Sequence, residues 1–470
     1  MKRKKTTAFL LSLFLLVLIF SKAFSQEVKP AFLSSQIDSA LRFIQETQVK
    51  ETIFAKQYAG EWPVDMHLTS AYFFIGKKQK AQDSNCFTIS AIHNALAEIY
   101  LLDTTRKDLL PTLKLAHDDI KTYNEDNLYN FWKKLPPARR LKFFNEPNPQ
   151  PWVHRPTNFH LRIKFIHNTA NVPEDADDTS LGNLAAFYNN RIFGENNSLA
   201  SHRKFDAFLD QQRKNRNWFN VLFHRDGNSG AYMTWLYPEY EYNRWDILKT
   251  TVNTILIFIP GSIARPEAYE PWVPFGANDT DVVVNANVLT YLSKTGQLEL
   301  SQGYSHSVKM IDKRLQKKFW YNNSVYYPNQ YHIHFTVAKA FASGVEGLRN
   351  SAQVIVDNIL ESQNPDGSFQ SQSYINRFDK VQSTTNALSA MIDCKSQGLA
   401  VPDSVMRKAI SYILSQKKTK NGQIYWDAGV YFSGGTLLRN ILFWKSEAYT
   451  TVAVANCFQR YLSLKSKEDK

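Results

Sequence analysis

One pattern recurs six times and restricts this chain more than any other feature. A polar opening is followed by small and β-branched residues in "DSNCFTISAIHNALAEIYLL" (83–102), "DDTSLGNLAAFY" (177–188), "NDTDVVVNANVLTYL" (278–292), "HIHFTVAKAFA" (332–342), "QSTTNALSAMI" (382–392) and "SEAYTTVAVANCF" (446–458). The openings carry Asp, Asn, Ser, Gln or His, mostly groups that satisfy the free N–H donors of a helix start. Each then runs apolar on most faces, which predicts buried helices. Ala185, Ala186, Ala286, Ala338, Ala387 and Ala453 allow close helix approach.

Between these copies lie helices with a single apolar stripe. "DSVMRKAISYILSQ" (403–416) places Met406, Ile410, Ile413 and Leu414 on one face, with Arg407 and Lys408 off it. Residues 34–48, 299–316 and 345–363 read the same way. An order of outer helix, loop and inner helix, repeated about six times, predicts an all-α double ring, the (α/α)6 toroid. Closure would make one domain of residues 26–470, although that length alone suggests two or three. Two segments interrupt the rhythm, a Pro-rich one at 125–172 and a Trp- and Tyr-rich one at 217–277. Insertions of that length suit lids or walls.

The loops after outer helices share Gln, then Gly, then an aromatic: "ESQNPDGSFQ" (361–370), "LSQKKTKNGQIYW" (414–426) and, more faintly, "ETQVKETIFAKQYAGEWP" (46–63). With such loops on α/α units, the chain resembles the squalene–hopene cyclase and protein prenyltransferase toroids. The resemblance spans nearly all of residues 26–470 as architecture, and "QNPDGSF" is its best single match.

The N-terminus reads "MKRKKTTAFLLSLFLLVLIFSKAFSQ", four basic residues, an apolar run and small residues at Ala23 and Ser25. This is the pattern of a secretory signal peptide (1–25) cut after Ser25, so a periplasmic or secreted protein is expected. The net charge of +13 falls to about +8 without the five Lys and Arg of that segment. The densest basic patch, "KKLPPARRLK" (133–142), suits a solvated face and is compatible with peripheral contact to a membrane surface. No nucleic-acid motif is present. Cys86, Cys394 and Cys457 are odd in number and lie in apolar patterns, so buried thiols are expected in place of disulfides.

"PEDADDTSL" (173–181) holds Glu174, Asp175, Asp177 and Asp178 just before an apolar run. One acid suffices to cap a helix, a contribution of about 1 kcal/mol. Four repel one another, which raises a pKa and keeps a proton available. The stretch also resembles the Asp-x-Asp-Asp-Thr acid motif of class II terpenoid cyclases. That resemblance implies Asp177 as the acid protonating an alkene or epoxide, with Asp175 and Asp178 in support. The family usually places this acid between two α-barrel domains and acts on substrates made inside the cell, whereas this chain offers one domain and a leader. The Asp-Asp-x-x-Asp signature of class I enzymes is absent, since "DDTSL" ends in Leu.

In a toroid all inner helices start at one rim. Asp177, Asp178, Asp279, Asp281 and Glu447 are therefore expected around one mouth, with His332 and His334 between them. Trp62, Trp235, Tyr237, Trp272 and Trp426 are candidate substrate-binding aromatics, suited to stabilising a carbocation. Opposed carboxylates with aromatics also suit a glycan-active hydrolase or lyase, and capped helix starts alone suit a non-catalytic binding toroid. The expected partner is thus a small hydrophobic or glycan substrate, with no cofactor. His332 and His334, two residues apart, do not share a helix face and make a poor metal pair. Neither a phosphate-cradling Gly-rich loop nor a Gly-x-Ser-x-Gly elbow occurs.

Overall fold

The computed structural model describes residues 29–69, 79–136, 151–158, 171–211, 228–237, 252, 271, 278–320, 323–434 and 439–468. The expected leader at 1–25, Trp272 and much of both insertions lie outside them. Among the described residues, six helices carry the repeated apolar pattern: α2 (Cys86–Leu102), α4 (Ala176–Phe193), α6 (Val282–Lys294), α8 (Gln330–Ala342), α10 (Lys380–Ser396) and α12 (Glu447–Glu468). Each packs on the next, and α12 packs on α2, so the contacts close into a cycle. Helices buried against two neighbours need apolar residues on most faces, which is why these six show so little periodicity.

The striped helices α1 (Pro30–Thr47), α3 (Leu110–Ile120), α7 (Gly303–Gln316), α9 (Arg349–Ser362) and α11 (Asp403–Ser415) pack on them from outside. The short α5 (His202–Asp206) completes the set. Helix α11 buries Met406, Ala409, Ile410 and Ile413 and leaves its charged face to solvent.

The Gln–Gly–aromatic loops join neighbouring outer helices. The Gln48 amide donates to the carbonyls of Gly60 (3.1 Å) and Thr112 (3.0 Å), the latter on α3. The Gln363 amide repeats this with Gly367 (3.2 Å) and Val405 (2.9 Å) on α11. Gly60 (φ +108°) and Gly367 (φ +87°) press against those same helices. A Cβ at either would lie 2.3 Å from the carbonyl oxygen of Leu115 or Lys408, so only glycine fits. The third loop works differently. Its hairpin, β7 (Lys418–Lys420) with β8 (Gln423–Tyr425), reaches α1, where the Ile424 amide donates to Ser39 Oγ (3.0 Å) and Tyr425 stacks on Phe43 at 5.1 Å.

The fold is α-rich but not purely helical. A four-stranded antiparallel sheet, in the order β2 (Gln79–Gln82), β1 (Asp65–Leu68), β10 (Leu442–Lys445), β9 (Val430–Ser433), pairs the chain after α1 with the chain before α12. It forms where the two ends of the cycle meet, a long-range pairing that helical periodicity gives no hint of. The Asp83 carboxylate anchors it, accepting from the indole N–H groups of Trp444 (2.8 Å) and Trp132 (3.1 Å). Two-stranded pieces β3 (Asn124–Glu125) with β4 (Leu128–Tyr129), and β5 (Lys134–Leu135) with β6 (Val153–His154), come from the Pro-rich insertion. They brace the start of α4: the Asp175 amide donates to the Tyr129 carbonyl and the Tyr129 amide to Thr179 Oγ1. Cys86, Cys394 and Cys457 are buried free thiols. No helix among the described residues is long and apolar enough to cross a membrane.

Candidate active site

The acidic stretch divides its labour. Asp175 is the N-cap of α4, with extended backbone and a carboxylate that accepts the Asp178 amide at 2.7 Å. Asp177, in the first turn, plays no part in capping. Its Oδ1 accepts from the Asn287 side-chain amide of α6 (2.7 Å), and its Oδ2 accepts from the Tyr327 hydroxyl, on the loop before α8. Asp178 faces Asp175, and its Oδ1 is buried without a hydrogen-bond partner among the described residues.

All three acids are buried, and burial is the main reason they hold protons. The Asp177 carboxyl is pushed up to about 7 by desolvation, then by the charge of Asp175; the Tyr327 and Asn287 hydrogen bonds oppose the rise only in part. Desolvation also lifts Asp175 to about 6, against its hydrogen bonds from Asp178 and the backbone. Asp178 lies well above the ordinary carboxylate range, through burial and then the neighbouring Asp175. Asp175 and Asp178 thus suit an acceptor and a protonated donor sharing one proton. Repulsion, expected from the sequence as the leading cause, comes second to desolvation.

Aromatic rings pack around the Tyr327 that holds Asp177. The Tyr327 ring lies 5.7 Å from Phe87 of α2, on the opposite side of the cycle. Phe87 is 5.9 Å from Tyr431 and 6.3 Å from Tyr449, which stack on each other at 4.1 Å. Below this layer the helices keep a partly exposed stripe toward the centre. Ala91, Ala95 and Glu98 of α2 fall at helical spacing, as do Asn287 and Lys294 of α6, Phe335 and Lys339 of α8, and Ala453 and Arg460 of α12. Small and apolar side chains at mid-height, half-buried within a closed cycle, mark out an axial chamber beneath the acid.

Other expected acids stay near this rim, Asp281 close enough to help raise Asp177, but are already engaged. Asp281 caps α6, accepting from the amides of Val283 (2.7 Å) and Val284 (3.4 Å), from Ser324 Oγ (2.7 Å) and from the Val325 amide (2.6 Å). Asp279 is engaged by Thr234 Oγ1 (2.6 Å) and the Tyr326 hydroxyl (2.9 Å). Glu447 is exposed on the first turn of α12. His332 stacks on Tyr327 at 4.6 Å, while His334 packs edge-on to Trp320 at 4.4 Å; burial drops both to about 3, so both are neutral.

Trp62 and Trp426 are buried structural residues. Their indole N–H groups donate to the Ile44 and Ile413 carbonyls, each at 2.8 Å, in the last turns of α1 and α11. This is a correction: indoles buried this completely have no face left for substrate. Trp235 is partly buried, bridged to Asp175 and edge-on to Tyr326 at 6.2 Å, so it stays beside the site. Tyr237 is partly buried at the end of its described stretch. Tyr327, Asn287, Phe87 and Tyr449 were not foreseen. Asn287 sits in the third repeat at a position turned toward the centre, a signal that a helical projection of "NDTDVVVNANVL" contains. Tyr327 lies in a loop and had none.

No protein-family profile matches the chain, and no curated protein matches it. Solved structures do match. One is a variant of the type II terpene cyclase MstE from Scytonema in complex with geranylgeranyl dihydroxybenzoate (TM-score 0.52, 13% identity, 92% of this chain and 98% of that one). A second MstE variant with the same substrate matches at TM-score 0.50 and 12% identity, over 92% and 97%. A protein from Actinoplanes also matches at TM-score 0.50 and 12% identity, over 91% and 99%. The chain therefore has a terpenoid-cyclase-like fold.

Proposed function

We propose that this terpenoid-cyclase-like fold is an (α/α)6 toroid that initiates cyclisation of a hydrophobic, isoprenoid-type substrate by acid. The observation that supports this best is Asp177: a buried carboxyl with a pKa of about 7, held by Tyr327 and Asn287 at the head of an aromatic-rimmed chamber. In the step proposed, the Asp177 proton moves to a terminal alkene carbon or epoxide oxygen. A C–H or O–H bond forms, Asp177 is left as carboxylate, and the positive charge lies on the substrate. The faces of Phe87, Tyr327 and Tyr449 would stabilise that cation. Tyr327 and Asn287 would also stabilise the carboxylate left behind. Loss of a proton from the cyclised cation, and uptake of one by Asp177, closes the cycle.

The glycan reading has less support, because Asp279 and Asp281 are already held by hydrogen-bond donors and Glu447 points to solvent. Export remains part of the proposal. Recovery of a mature chain beginning at Gln26 outside the cytoplasm would support it, and full-length protein only in the cytosol would overturn it. Once exported, the chain would meet a hydrophobic substrate at a membrane surface; of the basic stretch 133–142, Lys133 is buried against Asp119 (2.7 Å) and residues 137–142 lie outside the described residues.

The test of the chemistry is Asp177→Asn, assayed on polyprenyl compounds and polysaccharides. As general acid, Asp177 should carry at least ~10²-fold in turnover. The fold should be kept, because Asp175 caps the helix. Undiminished activity in Asp177→Asn would remove Asp177 from the mechanism.

A further inference from the structure

The same two helices close the axis at two levels. Helices α2 and α8 stand on opposite sides of the cycle. At the level of the acid, Phe87 of α2 lies 5.7 Å from Tyr327, which leads into α8. Further down, Glu98 Oε1 of α2 accepts from Lys339 Nζ of α8 at 2.8 Å. A direct ion pair between opposite helices has to cross the axis, so it forms a floor to the chamber.

This floor is well fixed. Glu98 Oε1 also accepts from the Tyr188 hydroxyl of α4 (2.8 Å), and its Oε2 accepts from the Asn456 side-chain amide of α12 (3.3 Å). Four of the six inner helices thus meet at one carboxylate. Beside it Arg460 of α12 pairs with Asp393 of α10, and Lys294 of α6 sits 5.8 Å over the Tyr188 ring. Burial opposes the ionisation of Glu98, but Lys339 and then Lys294 outweigh this and hold its carboxyl down at about 2. An apolar chain pushing the pair apart would leave two charges without partners in a water-poor place, which is strongly unfavourable. The floor is also the last layer of the ring: three residues of α8 and four of α2 follow it, and Lys294 ends α6.

We infer that the Glu98–Lys339 pair is the length stop of the chamber, the contact that limits how long a prenyl chain can be when its terminus is seated at Asp177. This rests on the proposed acid chemistry. The eleven residues from Phe87 to Glu98 along α2 rise about 16 Å. One isoprene unit adds four main-chain carbons, about 5 Å when extended with C–C bonds of about 1.5 Å. A few units therefore span the distance from acid to floor. Between the two levels Ala91, Ala95 and Ala453 are small enough to leave width for such a chain.

The test uses the mature chain and prenyl alcohols of two to five isoprene units. Affinities are read from intrinsic Trp fluorescence in the Asp177→Asn background, so that turnover does not interfere. Affinity should rise with length and then drop at least ~tenfold for one further unit, the weight of overpacking a closed cavity. In Glu98→Ala/Lys339→Ala, which removes both charges together, the drop should move to a longer alcohol. In Ala95→Leu, one turn above Glu98 on the same face, it should move to a shorter one. Thermal unfolding checks both variants, and the second keeps the test decisive where the first does not fold. No drop within the series, no binding of any alcohol, or a drop that stays in place in a folded variant would overturn the inference. Turnover of the same alcohols by the unsubstituted chain is followed separately. A drop that shifts, with no turnover at any length, refutes acid catalysis and leaves the stop standing; turnover with no drop does the reverse.

Discussion

The Tyr327 hydroxyl donates to the Asp177 carboxyl, joining the loop before α8 to the first turn of α4. This bond has two opposing effects on the proposed acid. It holds the carboxyl in one orientation, and it lowers the pKa that burial raises. Tyr327 is itself buried, stacked on His332 and close to Phe87, so its position is set from three directions.

Tyr327→Phe should therefore move the Asp177 pKa further up. The alkaline limb of the pH–rate profile should shift to higher pH, and stability should fall by about 1 kcal/mol for the lost hydrogen bond. A limb that stays in place would separate Tyr327 from the acid. Tyr327→Ala is less informative, since it also removes ring packing.

The pH profile has a definite sign. The protonated form of Asp177 is the acid, so activity should decline as pH rises through about 7. Stability should decline over the same range. Above the ordinary Asp pKa of about 3.9 the unfolded chain releases protons that native Asp175, Asp177 and Asp178 retain, so the native state binds more protons and each pH unit upward weakens it. Chemical denaturation at several pH values between 4 and 8 measures the slope. In Asp177→Asn the slope should flatten.

The loop glycines give a graded series. Gly60→Ala and Gly367→Ala combine a left-handed backbone with a Cβ driven into a helix carbonyl, and should each cost more than about 2 kcal/mol. Gly422→Ala shares the backbone conformation (φ +78°) but meets nothing within 4 Å, and should cost only about 1 kcal/mol. Thermal unfolding of the three ranks them; equal losses would show that the close approach is unimportant.

Trp62→Phe and Trp426→Phe remove the indole donors that hold the ends of α1 and α11. Each should lower stability by about 1–3 kcal/mol and leave turnover on any accepted substrate unchanged at temperatures where the protein is folded. A selective loss of activity in either would return that residue to the substrate site.

The sequence by itself determined the elements. Six nearly all-round apolar segments alternate with single-striped ones because a helix between two neighbours and a helix on a surface obey different local patterns, and those patterns are written in consecutive residues. The Asp175–Asp178 cluster at a helix start was legible for the same reason, and so were the Gln–Gly–aromatic loops. What those residues do was decided only by tertiary structure. Asp175 became the cap and Asp177 the buried acid because Asn287 and Tyr327 arrive from distant parts of the chain to hold Asp177. Asp279 and Asp281 left the list of free acids because Tyr326, Ser324 and Val325 came to engage them. The β1–β10 pairing and the Glu98–Lys339 floor likewise join residues hundreds of positions apart. Hydrogen bonding and desolvation act through space over a few ångströms, and sequence patterns carry only what lies within a few turns along the chain.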